Sequence, residues 1–361
     1  MMGDSARPES FARSEVVSAD EYLYYYPRGN ATVKMNDNTS PYGPSPGVRN
    51  LLEGRASSII GGLQECTYYP DQTAEKLRVK IASLNSVMPG QVVVGCGADE
   101  ILDLLARVFI NHGDRAIVPV PAYWMYNRFA ALNGAGVSSP FIGKPPSLEG
   151  FDPGVGKLLF ISSPNNPAGN MFSTQRIETL TSAFKGIVVV DEAYAEYAGT
   201  SVAPLVNEFS NLVIVRTFSK IYGLPNFRIG YSISCAATAS LMRKIKNPFN
   251  VTSVSQIVAL EALSDQNFVG DIRERNAVER EYVRKGMETL GLTVYPSSAN
   301  FLLSEFGSSR ETVHSELQIR GIFTRKIEQP GYNGCLRITV RSRKENELFL
   351  TCLNEIMGGN S

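Results

Sequence analysis

Residues 212–220 read LVIVRTFSK, an apolar run followed by a polar segment that ends in a lysine. Two earlier stretches have the same form: LLFISSPNN (158–166) and IVVVDEAY (187–194). The apolar runs are continuous rather than alternating, which is typical of strands that helices cover on both faces. Repeated strand–helix–strand units predict an α/β fold with a mostly parallel central sheet flanked by helices.

The rest of the chain predicts how this sheet is framed. Strand candidates for it lie at residues 91–94, 115–118, 157–162, 186–191, 211–216 and 228–232. After about residue 247 the pattern changes to one long helical stretch (254–290), then short strands at 292–295, 300–304, 321–325 and 335–340, with a helix near 310–320 and another at the end. We therefore predict an N-terminal arm and connector (1–47) that packs with the small domain or a partner subunit. A large domain (48–246) and a smaller α+β domain (247–361) follow.

Composition excludes several functional classes. Lys plus Arg and Asp plus Glu both total 35 in 361 residues, and a net charge of zero argues against a nucleic-acid-binding or polybasic membrane protein. Five scattered cysteines fit a reducing compartment. Two histidines are too few for a His-rich metal site, so no metal is expected. The first twenty residues contain no apolar segment typical of a signal peptide. A cytoplasmic enzyme with small-molecule substrates is the expected class.

Polar side chains follow the buried strands. Asn166, Asp191 with Tyr194, and Lys220 each come just after one of them. In an open α/β sheet, ligands bind outside the carboxyl ends of the strands, so we expect these side chains to converge. A buried carboxylate and a buried ammonium are costly unless partnered. Pyridoxal phosphate satisfies both, because its aldehyde bonds to a lysine and its ring nitrogen pairs with a carboxylate.

The cofactor's phosphate also needs a site. GCGADE (95–100) follows a predicted strand and opens a helix, whose free backbone N–H groups bind anions. Ser219 and Arg228 flank the lysine and can add a hydroxyl and a guanidinium. Gly95-x-Gly97 is poor evidence for a dinucleotide-binding site, because the third glycine of the motif G-x-G-x-x-G is missing and no acidic residue ends the second strand.

Several motifs together resemble the fold-type I pyridoxal-phosphate aminotransferases. They are TFSKIYGLPNFRIGY (217–231), SPNNPAG (163–169), VVVDEAY (188–194), GCGADE (95–100) and PAYWMY (121–126). YYPD (68–71), SANF (298–301) and GCLRITV (334–340) narrow the likeness to the histidinol-phosphate aminotransferase family. The matches keep the family's order and cover nearly all of the chain after residue 34.

The resemblance implies a role for each matching residue. Lys220 would bond to the cofactor and move the proton during amino transfer, and Asp191 would pair with the ring nitrogen. Asn166 and Tyr194 would hydrogen-bond the ring's phenolic oxygen, and Tyr123 would stack on the ring. The cofactor phosphate would be bound by Ala98, Asp99, Ser219 and Arg228, and Tyr69 would reach the phosphate of a partner subunit in a homodimer. The substrate's anionic end would be bound by Arg337 and Arg325. Tyr25 would lie at the entrance, although the repeated tyrosines there leave the register open.

The implied reaction converts histidinol phosphate and 2-oxoglutarate to imidazole-acetol phosphate and glutamate, a step of histidine biosynthesis. The alternatives within the fold are a threonine-phosphate decarboxylase-like enzyme and a broader aromatic or acidic amino-acid aminotransferase. A non-catalytic regulator is disfavoured because the chain has no additional basic domain. Arg341 stands where the family usually has glycine. If residues 335–343 stay extended, Arg337, Arg341 and Arg343 share one face, and the extra cations would alter substrate choice.

Overall fold

A computed structural model of the protein describes residues 8–21, 33–61 and 68–358, without the side chains of Glu9 and residues 55–61. In these ranges the strands are β1 Val33–Lys34, β2 Val92–Gly95, β3 Arg115–Ile117, β4 Gly136–Ser138, β5 Leu158–Ser162, β6 Ile187–Asp191, β7 Leu212–Thr217, β8 Gly230–Ser234, β9 Thr293–Val294, β10 Phe301–Glu305, β11 Ile322–Phe323, β12 Arg325–Lys326 and β13 Cys335–Thr339. The α-helices there are α1 Ser14–Val17, α2 Pro46–Gly61, α3 Glu75–Asn85, α4 Gly97–Phe109, α5 Met125–Leu132, α6 Thr174–Ala183, α7 Ala195–Ala198, α8 Ala236–Ile245, α9 Ser253–Ser264, α10 Gln266–Thr289, α11 Arg310–Ile319 and α12 Arg343–Gly358.

The largest sheet has seven strands in the spatial order β2-β8-β7-β6-β5-β3-β4. Strands β4, β3, β5, β6 and β7 pair in parallel, whereas β8 is antiparallel to both of its neighbours. The prediction of a mostly parallel sheet flanked by helices is therefore confirmed. The register places Ser162 opposite Asp191, so the ends of β5 and β6 lie side by side.

Two apolar cores cover the two faces of this sheet. Val188, Val190 and Ile214 belong to one core, whereas Val189 and Val213 belong to the other. Alternate residues of a strand point to opposite faces, so a strand buried on both faces needs an unbroken apolar run. This explains the sequences of β6 and β7.

The sheet differs from the sequence-based prediction at two places. The strand β4 was not predicted, because this three-residue edge strand is largely exposed and has no apolar run. The strand predicted from residue 228 begins at Gly230 instead, because Arg228 has a left-handed backbone (φ 49°). Arg228 therefore precedes the strand and lies in the turn before it.

A second sheet, β12-β13-β10-β9, is formed by the last third of the chain. The helix predicted over residues 254–290 is two helices, α9 and α10, which are separated at Asp265. The Asp265 carboxylate caps the start of α10 by accepting a hydrogen bond from the Phe268 N–H at 3.1 Å. The strand predicted over 321–325 is likewise two short strands: β11 pairs with β1 and β12 pairs with β13. The domain boundaries at residues 47 and 246 stay predictions.

The connector after β1 runs between the two sheets. Thr339 of β13 accepts a hydrogen bond from the backbone N–H of Asn38 at 3.0 Å. Further along, Gly43 lies against Gly223 so closely that a Cβ on Gly223 would come within 2.4 Å of the Gly43 carbonyl carbon. The connector is thus held by β13 and by the loop that follows β7. Within the described ranges, no helix is both long and apolar enough to cross a bilayer.

Candidate functional site

The candidate site lies where β5, β6 and β7 end. Asp191 is the last residue of β6, and Lys220 follows three residues after the end of β7. Because β6 and β7 are parallel neighbours, Asp191 and Lys220 both follow strands that end at the same edge of the sheet. That the two side chains converge on one cofactor stays a prediction.

Asp191 is a buried carboxylate, with 6% of its surface exposed. Its Oδ2 accepts a hydrogen bond from the Tyr126 hydroxyl at 2.6 Å, and its Oδ1 accepts one from the Ala193 N–H at 2.9 Å. Burial raises the pKa of Asp191 to about 6, against the lowering effects of these two hydrogen bonds and of Lys220. A cationic partner placed beside Asp191 would therefore stabilise its charged form.

Lys220 directs its ammonium toward the connector. Its Nζ donates to the backbone carbonyl of Asp37 at 3.0 Å and lies 5.7 Å from the centre of the Tyr194 ring. Asn38, the next residue, donates from Nδ2 to the Tyr194 hydroxyl at 2.9 Å. Asn38 is buried and has φ 59°, a left-handed conformation that asparagine tolerates better than most residues.

Sequence reasoning did not assign Asp37 and Asn38 to the site. The segment NTSPYG (38–43) contains several turn-forming residues, but this feature does not indicate a contact with Lys220. Tyr126 was also missed as a site residue. It lies three residues after Tyr123 in the segment PAYWMY (121–126), and the two rings are 5.5 Å apart.

A group of residues at the start of α4 can hold an anion. The guanidinium of Arg228 packs on Gly97, where an added Cβ would lie 2.5 Å from Nη2. The same guanidinium lies 3.6 Å from the Asp99 carboxylate. Position 97 favours glycine for two reasons: its backbone has φ 80°, and the Arg228 guanidinium leaves no room for a Cβ. The structure therefore places Asp99 and Arg228 together beside Gly97, and Ala98 is the next residue of α4. Their role at a phosphate stays a prediction.

Ser219 lies between β7 and Lys220, and its backbone N–H donates to the Thr217 hydroxyl at 3.1 Å. This contact fixes the turn that leads from the strand to the lysine. The side chain of Ser219 is half-buried, on the part of the chain that faces the carboxyl end of the sheet.

Two tyrosines, Tyr123 and Tyr126, connect the start of α4 to Asp191. The Tyr123 hydroxyl donates to the Asp99 carboxylate at 3.2 Å, and its ring meets the Tyr126 ring edge-on at 5.5 Å. The Tyr126 ring in turn stacks on Phe160 of β5 at 5.2 Å. Tyr123 is thereby connected to the anion site through Asp99 and to Asp191 through Tyr126.

Two arginines approach from the second sheet. Arg325 and Arg337 are direct cross-strand partners in the β12–β13 register. Arg337 is buried and donates to the Asn166 side-chain carbonyl at 2.6 Å and to the Asn36 carbonyl at 2.7 Å. Because the Asn166 carbonyl faces Arg337, the amide NH2 of Asn166 is the end that can donate to another group.

The expectation that Arg341 and Arg343 share a face with Arg337 is wrong. The strand β13 ends at Thr339, and the chain turns into α12. Arg341 pairs with Glu345 at 2.9 Å. Arg343 begins α12, where its guanidinium pairs with Glu279 at 3.0 Å and lies 3.9 Å from the centre of the Tyr282 ring. Both guanidinium groups are thus held by carboxylates of the helices.

Tyr69 is not brought to this cluster. Tyr69 is 80% exposed, and its ring stacks on that of Phe249 at 4.4 Å, on the surface of the protein. Tyr25 lies outside the described residues.

Comparison with known proteins shows the family. Residues 32–353 match the family model of the class I and II aminotransferases. The chain belongs to that family. It is 34% identical over 339 residues to histidinol-phosphate aminotransferase of Caldanaerobacter subterraneus, an alignment that covers 90% of this chain and 93% of the relative. The same-named protein of Roseiflexus castenholzii is 35% identical over 340 residues, covering 90% and 89%.

Solved structures share the fold. Histidinol-phosphate aminotransferase of Sinorhizobium meliloti, crystallised with pyridoxal-5'-phosphate, superposes with a TM-score of 0.89 at 24% identity, covering 98% of this chain and 99% of that one. L-threonine-O-3-phosphate decarboxylase of Porphyromonas gingivalis gives 0.78 at 21% identity, covering 90% and 99%. At these identities the likeness shows the fold alone.

Family membership makes the protein a pyridoxal-phosphate-dependent aminotransferase, and the predictions of enzyme class and cofactor are confirmed. The residues fit the cofactor. Asp191 is a buried carboxylate that a ring-nitrogen cation would stabilise, and the start of α4 with Arg228 offers backbone N–H groups and a guanidinium to a phosphate. Lys220 supplies the amine.

Proposed function

We propose that the enzyme transfers the amino group of histidinol phosphate to 2-oxoglutarate, giving imidazole-acetol phosphate and glutamate in histidine biosynthesis. The observation that carries this proposal is the direct pairing of Arg325 with Arg337 across β12 and β13. Among the described residues, no carboxylate lies within ion-pair distance of Arg325. Such a pair suits a doubly charged phosphate monoester and also a dicarboxylate. The names of the relatives support the same substrate.

In this proposal each residue near the strand ends has one task. Bound pyridoxal phosphate supplies an aldehyde that accepts the amino group and a ring that withdraws electrons from the substrate carbon. Lys220 would hold the cofactor covalently until the substrate amine displaces it, and its freed Nζ would then carry the proton from the substrate carbon. Asp191 would keep the ring nitrogen protonated. Asn166 and Tyr194 would hydrogen-bond the phenolic oxygen, and Tyr123 would pack on the ring.

The remaining residues hold the two anions. Ala98, Asp99, Ser219 and Arg228 bind or orient the cofactor phosphate, and Arg325 and Arg337 bind the substrate phosphate. Asp99 acts indirectly, because its carboxylate contacts both Arg228 and the Tyr123 hydroxyl. Tyr25 borders the entrance in this proposal.

We further propose that the enzyme is a cytoplasmic homodimer in which Tyr69 serves the partner's cofactor phosphate. Support comes from the exposed stack of Tyr69 on Phe249, since a contiguous pair of exposed aromatic rings is typical of an interface. The N-terminal arm is expected to take part in the same contact.

A substrate comparison tests the proposed reaction. Arg325→Ala should lower kcat/KM for histidinol phosphate by about 10- to 100-fold, the effect of losing a charge-assisted contact, and should affect glutamate far less. Arg320→Ala is the matched control, because Arg320 pairs with Glu355 on the outer helices. The proposal fails if the purified enzyme makes no keto product from histidinol phosphate, or if Arg325→Ala weakens both substrates equally.

The same experiment decides the alternative reactions. A threonine-phosphate decarboxylase-like enzyme would release carbon dioxide without consuming 2-oxoglutarate. A broad aromatic or acidic amino-acid aminotransferase would consume 2-oxoglutarate but would not depend on Arg325 for a phosphate. Product analysis on the wild-type enzyme therefore separates the decarboxylase from the two aminotransferases, and the dependence on Arg325 separates those two from each other.

A further inference from the structure

The loop between β12 and β13 joins the strands that carry Arg325 and Arg337. It reaches across to the large sheet at three points. The Tyr332 hydroxyl donates to the Gly143 carbonyl at 3.0 Å. Gly331 lies against Phe141, so that an added Cβ would be 2.8 Å from the ring. The third point is the side chain of Gln329.

Gln329 makes a two-point contact with the backbone of Ala122. Its Oε1 accepts from the Ala122 N–H at 2.9 Å, and its Nε2 donates to the Ala122 carbonyl at 2.8 Å. Both polar groups of Ala122 are therefore satisfied by one amide side chain. This is the pairing that a neighbouring strand would otherwise provide.

The position of Ala122 gives this contact its significance. The Ala122 carbonyl belongs to the same peptide group as the N–H of Tyr123, so Gln329 fixes the plane from which the Tyr123 side chain projects. The preceding residue, Pro121, is held in a similar way, because its carbonyl accepts from Nδ2 of Asn165 at 3.0 Å. Asn165 directly precedes Asn166. The turn before Tyr123 is thus held from both sheets.

We propose that Gln329 is a positioning residue that aligns Tyr123 with the arginine-bearing strands, and this rests on the proposed role of Tyr123 at the cofactor ring. Gln329 touches neither cofactor nor substrate in this account. It acts through the Ala122 peptide. A displacement of the loop that carries the arginines would be transmitted to Tyr123 through two hydrogen bonds.

The fluorescence of Trp124 can be used to follow this turn. Trp124 is the only tryptophan in the sequence, and its ring centre lies 6.4 Å from that of Tyr123. Its emission therefore reports on the turn directly, and bound pyridoxal phosphate, which absorbs in the near ultraviolet, should quench it. Neither signal requires turnover.

The test compares Gln329→Ala with Glu328→Gln, a change at the exposed neighbour in the same loop. Gln329→Ala should raise the Kd for pyridoxal phosphate by up to about tenfold, the range of an aromatic stacking contact, and should change the quenching of Trp124 at saturation. Glu328→Gln should leave both unchanged. The proposal is overturned if Gln329→Ala matches Glu328→Gln in both measurements.

A second variant covers the case in which Gln329→Ala does not fold. In Gln329→Glu the introduced carboxyl keeps an acceptor for the Ala122 N–H, and when protonated it again donates to the Ala122 carbonyl. Its affinity for pyridoxal phosphate, relative to wild type at each pH, should be lowest while the carboxyl is ionised and should begin to recover as the pH falls from 8 to about 4.5, close to the usual glutamate pKa of about 4.3. A ratio that is constant with pH would overturn the proposal. Because only cofactor binding and emission are measured, a failure to transaminate histidinol phosphate would leave this result standing.

Discussion

Replacing Asp191 by asparagine should stabilise the cofactor-free enzyme at pH 8. The folded chain holds the pKa of Asp191 at about 6, against its usual 3.8, so ionisation costs folding stability. Below pH 3.8 Asp191 is protonated in both the folded and the unfolded chain. Between pH 3.8 and about 6 the unfolded chain releases this proton while the folded chain keeps it, so the free energy of unfolding falls as the pH rises. A rise of about two pKa units corresponds to a cost of about 3 kcal/mol above pH 6.

The structure indicates that asparagine can be accommodated. Its Oδ1 can accept from the Ala193 N–H in place of the carboxylate, and its Nδ2 can donate to the Tyr126 oxygen once the hydroxyl rotates. The variant therefore keeps both hydrogen bonds and loses only the buried charge. With pyridoxal phosphate bound the effect should reverse, because asparagine offers no counter-charge to the ring nitrogen.

Thermal unfolding of the cofactor-free and cofactor-bound proteins between pH 4 and 8 is the assay. Asp191→Asn should raise the midpoint of the cofactor-free protein above pH 6, should match wild type near pH 4, and should lower the midpoint of the cofactor-bound form. Asp152→Asn, at an exposed turn, is the matched control and should change neither. A cofactor-free variant that is less stable than wild type at pH 8, or a difference that does not vary with pH, would refute the reasoning.

Two further changes test other parts of the site. Gly97→Ala should destabilise the fold by about 1–2 kcal/mol through left-handed strain, and it should weaken pyridoxal phosphate binding by displacing Arg228. Gly90→Ala, where an added Cβ meets nothing within 4 Å, should do neither. Calorimetry and cofactor titration measure the two effects, and equal behaviour of the two variants would contradict the assigned packing. If Tyr69 serves the partner's site, mixing inactive Tyr69→Ala and Lys220→Ala subunits should restore native function to about a quarter of all sites, and activity that never exceeds that of the parent variants would place Tyr69 outside the partner's site.

The sequence predicted the central sheet and the cluster of residues at its edge because both follow from local patterns. Unbroken apolar runs determine strands that are buried on two faces, and residues such as Asp191 come directly after those runs. The edge strand β4 has no such pattern. The break at Asp265 was missed because the helical periodicity continues through a residue that also caps the next helix.

The contacts between distant segments were beyond sequence reasoning. Arg341 was expected beside Arg337, but its guanidinium pairs with Glu345, a choice that depends on where β13 ends and α12 begins. Gln329 has no sequence signal of its own, since its partner is the backbone of a residue 207 positions away. Such pairs are set by tertiary packing, which one sequence does not display.

The contact between Lys220 and the carbonyl of Asp37 has a consequence for mutagenesis and for evolution. Every amino acid at position 37 offers the same backbone carbonyl oxygen, so alanine scanning would not detect this contact. The contact could also be kept during evolution while the side chain at position 37 changes. Changes of length would expose it, because inserting or deleting one residue between β1 and Asn38 shifts the oxygen away from the amine. The functional constraint there is on spacing, and it would be seen in the pattern of gaps among homologues rather than in the identity of the residues.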